Sequence, residues 1–509
     1  MAFRDLREYI AALEQRGELR RIREPVDTFL EMSAIADRAV KSGGPALLFE
    51  RPEPGRLRQA GVWTRPTGLL PGPGAAGVPV AMNLFGTERR MCLALGVERL
   101  EAAAARVRDL IELMKGPGPS GGGLLSKLSL LPKLQELAGI APKVVRSGPV
   151  QEVVEEGAAV DLLRLPVITA WPGDAGPFIT LAAVVTKDPE TGARNAGIYR
   201  MQVLDGRTTA MHWQLHHGGA AVFRKAQALG RRLEAAAVLG GDPVSIYAAS
   251  APLPDGLDEF LFAGLLRGQA VELVRCCTVD LEVPAHAEIV LEGYVDPAEP
   301  LVEEGPYGDH TGFYSLADRY PAFHVTAVTR RRSPIYPTTI VGRPPMEDYQ
   351  FGHATERIFL PLVQAVQSEI VDYHMPPEGV FNNLLFVAIE KRYPGQAYKV
   401  AAGLWGLGQM SLQKVIVVVD ADVDVHNPAE AWWAALNHID PERDVRFFPG
   451  PADVLDHASR APGFGTKMVI DGTRKLPEEG HARPWPERIV MDPAVARAVA
   501  ERWRELGLA

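Results

Sequence analysis

The run Glu303-Glu304-Gly305-Pro306-Tyr307-Gly308-Asp309-His310-Thr311-Gly312 places three carboxylates and a histidine among Gly and Pro residues. Paired carboxylates suit acid–base work, because burial and mutual repulsion raise one pKa. Glycines let a backbone approach a ligand closely. On its own the run reads equally well as a solvated acidic turn, since Asp and Gly are common turn formers.

Three other constellations have chemical potential. Asn195-Ala196-Gly197-Ile198-Tyr199-Arg200 puts an arginine inside a strand-like stretch, which needs either a buried anion or an exposed face. His212-Trp213-Gln214-Leu215-His216-His217-Gly218-Gly219 follows one strand later. Adjacent histidines at a strand end point opposite ways, so one of His216 and His217 suits a ligand role better than both. Asp420, Asp422 and Asp424 follow a buried strand, where carboxylates often face a ligand crevice; helix capping and turn formation around Asn427 is the simpler account. A calcium loop is rejected, because Val425 stands where Gly is needed and Ala431 where Glu is needed. Gly463-Phe464-Gly465-Thr466-Lys467 lacks the Walker spacing, Gly403-x-x-Gly406-x-Gly408 is no dinucleotide fingerprint, and there is no His-Glu-x-x-His.

The elements that position these residues follow from periodicity. Phe3, Leu6, Tyr9, Ile10 and Leu13 form an amphipathic helix ended by Gly17. Residues 1–115 read as a small α/β domain, and 116–149 as a linker with a Gly/Pro stretch and a short basic helix from Leu124 to Leu137. From 178 the period changes to two. Phe178–Lys187, Gly197–Leu204 and Thr208–Gln214 read as strands joined by turns at Asp188–Gly192 and Asp205-Gly206, with further strands at Val271–Cys277, Ala287–Tyr294 and Phe323–Thr329. Residues 150–335 are thus a mostly β domain of meander or barrel type. Helical period returns at His353–Ile370. The continuous apolar run Val415–Val419 marks a strand buried on both faces, and Asn427-Pro428 opens the next helix. Residues 336–480 therefore read as α/β. The tail, 481–509, carries a last helix opened by Asp492-Pro493, with Val495, Val499, Trp503 and Leu506 on one stripe; it is expected to dock on a neighbouring domain or on another subunit.

Composition bounds the function. A chain of 509 residues holds two to four domains, and 47% apolar with 23% charged residues is ordinary for a globular protein. A net charge of −9 gives no support for nucleic-acid binding. Three cysteines exclude a disulfide framework, and no Cys-x-x-Cys offers a thiolate metal site. A reduced, cytoplasmic setting is the default, without a signal peptide or a membrane-spanning run.

Together the motifs resemble the UbiD family of reversible decarboxylases that use prenylated FMN, and look closest to its 4-hydroxy-3-polyprenylbenzoate branch. The likeness is carried by Phe3–Glu8, Asn195–Arg200, Phe262–Gly268, Glu304–Gly312 and Gly342-Arg343-Pro344-Pro345. It implies an N-terminal α/β domain, a central split β-barrel that binds the flavin, and a C-terminal α/β domain used in assembly. It also implies a divalent ion, Mn²⁺ or Mg²⁺, holding the flavin phosphate through Asn195, His216 and Glu259, with K⁺ nearby. An oxygen-rich site with one imidazole suits such an ion. The implied flavin contacts are Ile198, Tyr199, Arg200, His212, Trp213, Gln214, His217 and Gly218, with Lys414 as an added positive charge. His212 and His217 stand where the family has arginines.

The implied catalytic group is Arg200, Glu304 and Asp309. Arg200 would pair with Glu304 and orient the substrate carboxylate. Asp309 would protonate the carbon that CO₂ leaves, with a pKa raised by burial and by Glu304. The implied substrate is a prenylated 4-hydroxybenzoate for quinone biosynthesis, or a naphthoate-type or other aromatic acid. The implied partners are a flavin prenyltransferase as cofactor supplier and further copies of the chain as dimer or hexamer, with peripheral contact at the inner membrane face for a prenylated substrate. The alternative of another class is a non-catalytic flavin-binding assembly protein.

Overall fold

The computed structural model describes residues 2–62, 77–115, 139–214, 218–254, 256–481 and 483–508. The basic helix expected over Leu124 to Leu137 lies outside them. The opening helix, Leu6–Gln15, buries Leu6, Tyr9, Ile10 and Leu13, and Asp5 caps it by accepting from the backbone N–H groups of Arg7 and Glu8. It packs beside a four-stranded sheet ordered Leu19–Ile22, Ala46–Phe49, Val80–Met82 and Tyr336–Pro337. The last of these strands comes from beyond the central region, so the chain returns to its N-terminal part before entering its C-terminal one.

Eight strands of the nine-stranded central sheet follow the order Phe178–Ile179, Met201–Val203, Thr208–Met211, Ala322–Arg330, Ile289–Val295, Leu233–Leu239, Ala182–Lys187 and Arg194–Ile198. Val153–Glu156 pairs along Ala322–Arg330. Two short links fix the shape. Thr180-Leu181 joins the first strand of the path to the seventh, and Tyr199-Arg200 joins the eighth to the second. In a flat sheet each pair would lie roughly 29 Å apart, at about 4.8 Å per strand. A two-residue link spans at most about 11 Å. The sheet must curl until its ends meet, giving a half-barrel with Tyr199-Arg200 on its seam. The expected strands Phe178–Lys187 and Gly197–Leu204 each divide at these links, because closure takes two residues from each run. Thr208–Gln214 shortens to Thr208–Met211. The expected strand Val271–Cys277 shortens to Glu272–Arg275 and leaves the barrel, pairing with Lys143–Val145 and Glu282–Pro284 in a separate sheet.

The C-terminal sheet is ordered Ile370–His374, Leu385–Ile389, Val415–Asp420, Phe464–Asp471 and Val445–Pro451, with the three inner strands parallel. Alternate residues of the inner strands face opposite layers. Leu385, Val387, Ile416 and Val418 pack with Val400 and Leu404 of the helix Gln396–Trp405. Phe386, Ala388, Val417 and Val419 pack with Ala431 and Ala435 of the helix Pro428–His438. Burial on both faces is why Val415–Val419 reads as a continuous apolar run. The helix expected over His353–Ile370 runs Glu347–Val366, and Ile370 begins a strand. Its first turn contains Glu347 and Asp348, whose charges interrupt the apolar stripe.

The last helix, Pro493–Arg502, is capped by Asp492 and has no buried residue. Val495, Val499 and Trp503 are all more than two-fifths exposed. Among the described residues the helix therefore docks on no neighbouring domain. Among the described residues no helix is long and apolar enough to cross a membrane.

Candidate active site

The acidic run folds as two short ribbons. Val302–Glu304 pairs with Asp318–Tyr320, and Tyr307–Gly308 pairs with Tyr314–Ser315. Both carboxylates meet Arg200 at the seam. Arg200 Nε donates to Glu304 Oε1 at 2.7 Å and Nη2 to Oε2 at 3.1 Å, a bidentate pair. Nη1 donates to Asp309 Oδ2, and Nη2 also donates to Ser315 Oγ at 3.1 Å. The guanidinium lies 4.5 Å from the centre of the Tyr307 ring. Glu304 and Asp309 are buried.

The electrostatics assign the protons. Burial pushes the Glu304 carboxyl up, but hydrogen bonds from His212 and Arg200 outweigh it and bring it down to about 2. Asp309 departs from the expected raised pKa. Burial does act upward, yet the His310 hydrogen bond and the Arg200 charge hold it well below the usual carboxylate range. The reason is position: Arg200 sits between both carboxylates rather than serving Glu304 alone. His310 takes up the proton instead. Its backbone N–H and its Nδ1 lie 2.8 Å and 3.0 Å from Asp309 Oδ1. Burial opposes the His310 charge, but Asp309 raises it to about 9. His212 Nδ1 is 3.1 Å from Glu304 Oε2, and burial lowers its pKa, so it stays neutral. It therefore faces the carboxylate rather than replacing an arginine with a cation.

Residues that motif reading missed complete the setting. Asp174 accepts from Ala170, Trp171 and Gly308 backbone N–H groups at 3.0, 2.8 and 2.7 Å, and burial raises it to about 6. Gly308 approaches so closely that a Cβ there would lie 2.2 Å from the Trp171 ring. Gln202 accepts from the Gly305 N–H at 2.8 Å. Asp348 lines a small cavity with His310, Tyr349 and Phe381, and burial raises it to about 7. Asp174 had a signal in the turn residues Trp171-Pro172-Gly173-Asp174. Asp348 had none, because it comes from the first turn of a helix in another part of the chain.

Beside this group the expected cofactor residues converge. Asn195 lies in the strand Arg194–Ile198, Tyr199 follows in the link, and Trp213 and Gln214 follow the strand Thr208–Met211. The Tyr199 and Trp213 rings meet edge-on at 6.4 Å. The Tyr199 hydroxyl accepts from the Gly219 N–H at 2.9 Å, at the start of the helix Gly218–Ala228. A Cβ on Gly218 would lie 2.3 Å from Asn195 Oδ1, so only glycine permits this approach. Glu259 begins the helix Glu259–Arg267 and accepts from the Ala196 N–H at 2.9 Å; burial raises it to about 7. Asn195 Nδ2, His212 Nε2 and Trp213 Nε1 are buried without a hydrogen-bond partner among the described residues. Two unsatisfied donors, Asn195 Nδ2 and Trp213 Nε1, and an under-compensated carboxylate fit a phosphate-bearing cofactor with a cation. His216 and His217 lie outside the described residues. Lys414 stands apart, its ammonium 2.9 Å from Asp456.

Three family profiles match successive parts of the chain. They describe the N-terminal, Rift-related and C-terminal domains of 3-octaprenyl-4-hydroxybenzoate carboxy-lyase, and cover residues 10–112, 143–344 and 349–472. The chain belongs to the UbiD family of carboxy-lyases. Among UbiD relatives, an uncharacterized protein of Aquifex aeolicus is 50% identical over 99% of both chains. The UbiD-class enzyme HmfF from Pelotomaculum thermopropionicum, solved in complex with FMN, is 30% identical over 97% of this chain and 98% of its own, with a TM-score of 0.75. An evolved dimeric form of it was solved with prFMN. The closed form of Sedimentibacter hydroxybenzoicus vanillic acid decarboxylase is 26% identical with full coverage of both chains and a TM-score of 0.81. The UbiD fold is thus the curled sheet described above, with its α/β flanks.

Proposed function

We propose that the chain catalyses non-oxidative, reversible decarboxylation of a prenylated 4-hydroxybenzoate-type acid with prenylated FMN, in quinone biosynthesis. The observation that carries this reading is Arg200 bridging Glu304 and Asp309 beside the unsatisfied nitrogens of Asn195, His212 and Trp213. The substrate class is supported by the description of the matching profiles, and the cofactor by the HmfF complexes. When bound, prenylated FMN supplies the electron sink that makes CO₂ loss from an aromatic ring feasible. Asn195 and Glu259, with His216, would hold the Mn²⁺ or Mg²⁺, with K⁺ as a further ion. Ile198, Tyr199, Trp213, Gln214, His217 and Gly218 would be the flavin contacts. Lys414 is left out of the set because Asp456 neutralises it.

The residues of the chain then divide the work. Glu304 stays ionised and fixes Arg200 through two hydrogen bonds. The substrate carboxylate competes with Asp309 for Arg200 Nη1. Once it displaces Asp309, the charge that keeps Asp309 deprotonated is shared away. Asp309 then takes the proton of His310 Nδ1, 3.0 Å distant, and delivers it to the carbon that CO₂ leaves. Asp348, on the same cavity as His310, carries the next proton.

The test is protein co-produced with a flavin prenyltransferase, examined for flavin absorption and Mn²⁺ and assayed on 4-hydroxybenzoates with and without a prenyl chain and on naphthoates. Turnover restricted to flavin-loaded protein and to the prenylated hydroxybenzoates is expected. Equal turnover without flavin would sink the reading; a preference for naphthoates would move the substrate. Loaded protein that turns over no acid would leave the non-catalytic alternative. The proposal includes a homo-oligomer covering the Val495, Val499 and Trp503 stripe, checked by light scattering at micromolar concentration.

A further inference from the structure

One buried cluster takes no part in this chemistry. Glu356 is fully buried in the helix Glu347–Val366, and three histidine rings turn the same atom, Nδ1, toward its Oε1. His353, one turn earlier on the helix, is at 2.8 Å. His374, at the end of the strand Ile370–His374, is at 3.0 Å. His426, in the loop after Val415–Asp420, is at 3.8 Å. Among the described residues, His353, Glu356 and His374 form the one group of His, Cys and carboxylate side chains that meets around a possible ion.

Hydrogen bonds account for His353 Nδ1, His374 Nδ1 and the Met375 N–H around Glu356, but not for His426 and Arg357 Nε. A carboxylate oxygen has two acceptor sites. Around Oε1 stand three imidazole nitrogens and Arg357 Nε at 3.4 Å, which is buried without a hydrogen bond. The other oxygen, Oε2, accepts from the Met375 N–H at 2.7 Å and lies 3.1 Å from His374 Nδ1, which is shared between the two oxygens. The far ring nitrogens are also informative. His426 Nε2 is 3.1 Å from Asp372 Oδ2, and His353 Nε2 is 3.8 Å from Glu88 Oε2. Asp372 is itself held by Arg357 Nη2 at 2.7 Å. The Asp372 carboxylate on the outer nitrogen of His426 fixes the tautomer that leaves its Nδ1 with a free lone pair, as in metal-ligating histidines.

We propose that His353, Glu356 and His374, with His426 drawn in from the edge of the group as a fourth ligand, form a second metal centre, separate from any flavin-phosphate ion, that takes a tetrahedral divalent cation of the zinc class. Three imidazoles and one carboxylate suit zinc better than Mn²⁺ or Mg²⁺. Bonds of about 2.0–2.1 Å place tetrahedral ligand atoms roughly 3.3–3.4 Å apart, and the Nδ1 to Oε1 separations of 2.8, 3.0 and 3.8 Å bracket that value. Four protein ligands leave no open position, so the role is structural. The ion ties the helix, a strand end and a loop together. The same helix begins with Glu347-Asp348-Tyr349, and Tyr349 stacks on His353 at 5.8 Å. The centre thus fixes the helix that brings Asp348 to the active-site cavity.

The test uses chelator-stripped protein titrated with Co²⁺ alone. One equivalent is expected to give the intense visible bands of four-coordinate cobalt, which an oxygen-rich, six-coordinate flavin-phosphate site does not give. Zn²⁺ should erase those bands and raise Tm. Glu259→Ala should keep them, while His374→Ala and Glu356→Gln should lose them. Asp372→Asn, which leaves every ligand in place, should weaken Co²⁺ binding roughly 10–100-fold. Wild-type protein without such bands and with a Tm unmoved by Zn²⁺ would overturn the proposal whether or not the variants fold. Unchanged bands in both ligand variants would overturn it as well.

Discussion

The two buried charge clusters are built in opposite senses. At the seam of the central sheet a single guanidinium lies between two carboxylates, and His310 adds a second positive group. Two positive and two negative groups satisfy one another there without a metal. In the C-terminal part a single carboxylate lies inside a ring of three imidazoles and a guanidinium, and His426 and Arg357 Nε face it without a hydrogen bond. The first cluster is closed, and on the proposed function a substrate carboxylate opens it by competing for Arg200. The second closes when a cation takes the imidazole lone pairs. Buried polar groups that are matched hold a geometry; those that are mismatched mark where a ligand goes.

The largest expected break in this contrast is at Asp309. Asp309→Asn should lower turnover roughly 10²–10⁴-fold, the usual contribution of a general acid, and abolish solvent deuterium incorporation into product while flavin content holds. Wild-type exchange in that variant would move proton delivery to His310. Arg200→Lys comes next. A point charge cannot serve Glu304 in two hydrogen bonds and still reach Asp309 and Ser315. Turnover should fall roughly 10²–10³-fold, with KM for the acid rising as the carboxylate loses its partner.

A subtler effect is pH-dependent. The His310 pKa rises from 6.5 to about 9 on folding. A raised cationic pKa stabilises fully below its unfolded value and less as pH climbs through the folded one. Tm should therefore decline from neutral pH toward pH 9, together with turnover, and His310→Gln should flatten that alkaline slope. A slope unchanged in the variant would place the titration elsewhere. The smallest effect belongs to Ser315→Ala, which removes one acceptor from Arg200 Nη2 and from the Tyr307 N–H. About 1 kcal/mol of stability should be lost, read as a small drop in Tm with turnover reduced only a few-fold.

Some of this was legible in the residues. Val415–Val419 could be read as a doubly buried strand because burial on both faces leaves no alternation to break. Asn427-Pro428 marked a helix start because capping is local; Asn427 accepts from the Glu430 N–H. The acidic run and Arg200 were singled out by residue type alone. The break at Tyr199-Arg200 was not legible, since the run Gly197–Leu204 keeps its period of two and only closure of the sheet divides it. That the Val271–Cys277 strand pairs outside the central sheet was not legible, because pairing partners are not written in local sequence. The depressed Asp309 pKa was missed because it depends on where one guanidinium lies between two carboxylates. His353, Glu356, His374 and His426 went unread for the same reason. Their spacing of three, eighteen and fifty-two residues has meaning only once helix, strand end and loop are stacked.

The two-residue seam has a consequence for how the protein matures. Arg200 has no place to stand until the eighth strand of the sheet has returned to the second, and the sheet so closed pairs residues as far apart in sequence as Val153 and Arg330. Contacts so distant form late in folding, after the loops between them have been ordered. A nascent or half-folded chain therefore has the acidic ribbons without the cation they need, and the Asn195 strand without a Trp213 beside it. On the proposed function, the complete flavin site is therefore present only in finished molecules.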